Sequence, residues 1–130
     1  MITKRVAARG PLSGPWWQLS GDALRGLGRF AEAANAFDAA AEALAGAEHV
    51  EAGYSAAYVR FHDLHDAQTA LASLELAKTD GSALEERGLG LRAQILVELG
   101  RRADARTVAT RYLQRFPKAD LASFMRSLEK

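Results

Sequence analysis

The sequence predicts an all-α fold of antiparallel helix hairpins, and three observations carry the prediction. No proline stands between Pro15 and Pro117, so the intervening chain is free of the strongest helix breaker. Alanine, the best helix former, dominates the composition. A short pattern also recurs: Leu27-Gly28-Arg29-Phe30-Ala31-Glu32-Ala33 is echoed by Leu99-Gly100-Arg101-Arg102-Ala103-Asp104-Ala105. Self-similarity of this kind marks a repeated supersecondary unit.

Taken in order, the helices are expected at 15–27, 30–46, 49–62, 65–78, 83–99 and 102–115, which makes three hairpins. Small residues at Gly21, Ala33, Ala93 and Ala105 let antiparallel helices approach, while Trp17, Leu24, Phe37, Leu96 and Tyr112 fill the flanks. Thr79-Asp80-Gly81-Ser82 reads as a loop insertion. Ser82 and Glu85 have the spacing of a capping box at the start of the fifth helix. Pro117 stops the sixth helix. Asp120 then caps a terminal helix over 119–129, whose apolar face is Leu121, Phe124, Met125 and Leu128.

A chain of 130 residues fits one compact domain. Hydrophobic residues at 48% and charged residues at 25% are the proportions of a folded protein. Lys and Arg number 17 against 16 Asp and Glu, and a net charge of +1 is too small to neutralise phosphates, so no nucleic-acid partner is expected. The absence of cysteine removes disulfides, thiolate zinc sites and cysteine nucleophiles. Residues 1–13 read as a flexible basic tail carrying Lys4, Arg5 and Arg9, without the apolar stretch of a signal peptide. No later stretch reads as membrane-inserting. As written the chain is expected to be cytoplasmic; as part of a longer exported chain it would be periplasmic or envelope-associated.

Trp17, Gly21, Leu24, Gly28, Ala33, Phe37 and Ala40 resemble the consensus series of the tetratricopeptide repeat family. The same frame fits Leu89, Ala93, Leu96, Gly100, Ala105, Ala109, Tyr112 and Pro117. Between them Tyr54, Ser55, Tyr58, Ala67, Leu71 and Leu74 form a degenerate copy, with Glu51 at the Trp position and His62 at the turn glycine. That copy is either shifted in register or replaced by an irregular helix pair. The resemblance implies a short right-handed α-solenoid with repeats near 14–47, 48–81 and 82–117, together with the capping helix. The turn at Leu99 running to Arg115-Phe116-Pro117 also resembles repeat segments of bacterial envelope-assembly and Tol-Pal accessory proteins.

The same resemblance implies a protein or peptide partner bound in a concave groove. Its groove positions are Gln18, Asp22 and Arg25, then His49, Ala52, Ala56 and Arg60, then Arg87, Gln94 and Glu98. The paired Lys and Asn of carboxylate-clamping members are missing from them, and the alternative is a plain solvated surface. A second candidate is the apolar row Trp16, Leu19, Ala23 and Leu27. Its counterparts, Val50-Gly53-Ala57-Phe61 and Gly88-Leu91-Ile95-Leu99, should each face the helix before them, but the first repeat has no predecessor. A second copy, a partner helix or further N-terminal sequence would cover the row; the alternative is folding back of 1–12 through Ile2, Val6 and Leu12.

His62-Asp63-Leu64-His65-Asp66 is the one cluster with metal-ligand chemistry, and it equally suits a capped turn between helices. No motif organises Ser, His and Asp for catalysis. Arg101, Arg102, Arg106, Arg111 and Arg115 read as a solvated, ion-paired face. The expectation is therefore a non-catalytic interaction module without cofactor or metal. The alternative is a structural or self-associating module, a homo-oligomer through its first helix.

Overall fold

The structure is a computed structural model and describes residues 13–130. The expected basic tail lies outside the described residues except for Ser13, which opens the first helix. Seven α-helices and no strand occur among the described residues: α1 Ser13–Gly26, α2 Phe30–Ala43, α3 Gly46–Tyr58, α4 Ala67–Ala77, α5 Glu85–Glu98, α6 Arg102–Arg115 and α7 Ala122–Leu128. The all-α prediction holds. The chain divides into two compact units, Met1–Lys78 and Thr79–Lys130, parted where the loop insertion was expected.

In the first unit α1 packs on α2, α2 on α3 and α3 on α4, the sequence-order packing of a solenoid-like hairpin array. Trp17, Ala36, Ala39, Ala40 and Ala52 form one cluster of its core; Ala33, Ala34, Phe37, Ala56 and Val59 form another. Gly21 is required at the α1–α2 crossing, because a Cβ there would stand 2.6 Å from the Phe37 ring. Large against small is thus the packing rule, as the sequence implied.

The repeated Leu-Gly-Arg motif builds the same turn twice. Gly28 (φ +78°) and Gly100 (φ +75°) adopt the left-handed conformation that glycine takes without a Cβ penalty. Arg29 N–H donates to the Leu24 carbonyl at 2.9 Å and Gly28 N–H to that of Arg25 at 3.0 Å; Arg101 to Leu96 and Gly100 to Val97 repeat the pair at 2.8 and 3.0 Å. Both are Schellman closures. Even the flanking ion pairs, Arg29–Glu32 and Arg101–Asp104, recur.

The middle turn is different. Without a glycine at position 62, α3 gives way after Tyr58 to a π-helical turn, Val59–Asp63, which carries the helical path one residue past its expected end, with Leu64 N–H donating to the Val59 carbonyl at 3.0 Å. The left-handed residue is His65 (φ 54°), later than the His62 that the repeat frame places there. Asp66 then caps α4, its carboxylate accepting from Thr69 N–H at 3.2 Å. The irregular alternative for this copy is the one observed.

In the second unit α5 packs on α6 and α6 on α7. Leu89, Ile95, Ala109, Tyr112 and Met125 are essentially inaccessible. The Tyr112 hydroxyl donates to Glu86 at 3.0 Å and accepts from Leu121 N–H at 3.3 Å, which ties α7 to the α5–α6 hairpin. The expected capping box is altered. Ser82 Oγ accepts from Leu84 N–H at 3.1 Å, and Glu85 Oε1 accepts from Gly81 N–H at 3.2 Å instead of Ser82 N–H. Glu85 is instead buried beneath α6, 2.9 Å from Arg115 and 3.3 Å from Arg111. Burial alone would raise its pKa; the Gly81 N–H and the two arginines outweigh it and hold the carboxyl below its usual range.

Candidate functional site

Helix α2 packs against both α1 and α3, and a cleft remains between these two first helices of successive hairpins. Pro15, Gln18, Leu19 and Asp22 recur along α1 at the spacing that shares one helix face. Glu48 and Glu51 face them from α3, with Leu44 from the connection before it. Together these side chains enclose an open-sided groove of about 320 Å³. Its body is apolar and its edges are carboxylates.

Arg25, three residues after Asp22 on α1, lies outside that lining. Its Nε donates to Asp63 Oδ2 at 2.8 Å, and its guanidinium lies 5.0 Å from the centre of the Tyr58 ring. The Asp63 hydrogen bond, opposed by partial burial, raises the pKa of an already permanent cation. Arg25 is thereby committed to Asp63. No ion pair involves Asp22, Glu48 or Glu51 among the described residues. Glu48, in the first turn of α3, favours the N-terminal end of that helix dipole. Asp22 and Glu51 have no such local use.

Beside the groove the apolar row faces outward: on α1 Trp16 is 54% exposed and Leu19 69%, with Ala23 also exposed, and Leu27, just past the helix end, is 72% exposed. Leu19 belongs to both surfaces. The alternative that residues 1–12 fold back over this row lies outside the described residues.

The structure gathers some of the sequence-predicted groove residues and disperses others. Gln18 and Asp22 line the groove; Arg25 does not, being turned to Asp63. His49 is half-buried, its Nδ1 donating to the Ala41 carbonyl at 2.7 Å, which pins α3 to α2. Ala52 and Ala56 are fully buried against α2 and cannot line a groove. Arg60 turns inward, its guanidinium 2.6 Å from Asp38 and 2.7 Å from Ser73 Oγ. That geometry tethers the π-helical turn to α2 and α4.

On α5, in the second unit, Arg87 and Glu98 are exposed and Gln94 is half-buried. The α3 row needs correction also: the face toward α2 is Ala52, Ala56 and Val59, while Gly53 approaches Ala77 of α4. Glu48 and Glu51 escaped the sequence reading because the repeat frame assigned position 51 to a core aromatic. In the His62–Asp66 cluster, Asp63 serves Arg25 and Asp66 caps α4. Among the described residues no group of His, Cys, Asp and Glu has the arrangement of a metal shell, and no helix is long and apolar enough to cross a membrane.

No protein-family model, curated protein or solved structure matches the chain.

Proposed function

We propose that this chain is a tetratricopeptide-like, non-catalytic interaction module that binds a protein segment through the α1 surface. The supporting observation is the pairing of an exposed row, Trp16, Leu19 and Leu27, with the adjoining groove on the same helix. Leaving a tryptophan and two leucines in water along one helix face forgoes burial free energy that a docked partner recovers. The two identical Schellman turns support the repeat resemblance at the level of local geometry.

The second reading is a self-associating structural module whose α1 row pairs with its own kind. Light scattering on the full chain separates the two. A monomer that captures a peptide through Leu19 fits the first reading; a dimer that falls apart in the Trp16→Glu, Leu19→Glu variant fits the second. Neither behaviour, in a folded protein, would end both.

A further inference from the structure

We infer that the groove between α1 and α3 selects a basic, apolar segment: a peptide that seats a leucine-like side chain against Leu19 and Leu44 and places lysine or arginine against Asp22 and Glu51. This rests on the interaction reading and adds the chemistry of the partner. The groove's apolar body is formed by Pro15, Leu19 and Leu44, and about 320 Å³ is the scale of a small binding cleft, with room for peptide side chains and none for a folded domain. Three carboxylates, Asp22, Glu48 and Glu51, edge it, and among the described residues no basic side chain lines it.

Arg25, farther along α1, is paired with Asp63 and held against Tyr58, so it does not satisfy those acids. An acidic segment would meet uncompensated like charge; a basic one supplies the missing counter-charge. Lysine and arginine also suit the geometry, since their aliphatic stems cover apolar surface while their heads reach the carboxylates at the rim.

The test uses the full chain and two synthetic helical peptides of equal length, one built from leucine and arginine, the other with glutamate at every arginine position. Binding is followed by calorimetry and by tryptophan fluorescence. The arginine peptide is expected to bind about tenfold or more tightly than its glutamate counterpart, the scale of two or three exposed ion pairs. Salt should weaken it, and Asp22→Asn with Glu51→Gln should remove most of the preference.

Leu19→Glu should abolish binding while circular dichroism reports an intact helical fold. Equal binding of both peptides, lost in Leu19→Glu, would overturn the charge selection and leave the interaction reading standing. An arginine peptide whose affinity is indifferent to the Asp22 and Glu51 replacements, or no binding at all, would also overturn it.

Discussion

Arg25 donates to Asp63 across 2.8 Å, joining the end of α1 to the π-helical turn that follows α3. This contact spans two hairpins, reaching from the end of α1 to the last residue of the π-helical turn. The Arg25 side chain is 43% exposed and that of Asp63 17%, so solvent screens the pair. A double-mutant cycle of Arg25→Ala and Asp63→Ala in denaturant titrations should give a coupling of about 0.5 to 1 kcal/mol. Coupling indistinguishable from zero would mean that this pair does not hold α1 to the π-helical turn.

Gly21→Ala should destabilise the first unit by about 1 to 3 kcal/mol, the usual cost of overpacking, because the new methyl would stand 2.6 Å from the Phe37 ring. Phe37→Leu in the same chain should recover part of the loss by vacating ring volume. If Gly21→Ala leaves the thermal midpoint unchanged, the α1–α2 approach is looser than described.

Gly28→Ala and Gly100→Ala should each cost about 1 kcal/mol, since both force a Cβ into the left-handed region while no neighbour stands within 4 Å of either position. Matching penalties in chemical unfolding would fit equivalent turns. A marked difference would separate two turns that share their hydrogen bonds.

Glu85→Gln gives a pH signature. The folded pKa of Glu85 is lowered from its usual 4.5, so its stabilising contribution is complete above that value and is lost as pH falls through the lower folded value. Wild type should therefore exceed the variant in thermal midpoint at neutral pH, with the gap closing below about pH 4.5. A gap constant down through the acid range would show that Arg111 and Arg115 do not depend on the Glu85 charge.

Tyr112→Phe should cost about 1 to 2 kcal/mol, because Leu121 N–H and Glu86 lose the hydroxyl that joins them. Hydrogen exchange at α7 should rise before exchange at α5 and α6. Uniform acceleration across all three helices would mean that α7 is not held chiefly by this bridge.

Periodicity and turn chemistry determined by themselves that this chain is helical, that its first and last hairpins close on glycine, and which small and large residues meet at the α1–α2 crossing. These features are local: a left-handed residue, an apolar face or a missing Cβ acts within a few residues of its position. The middle copy, the inward turn of Arg60 and the acid-edged groove depended on tertiary structure. A π-helical turn shifts every later side chain around the helix axis, and carboxylates on α1 and α3 become neighbours only when α2 packs behind both.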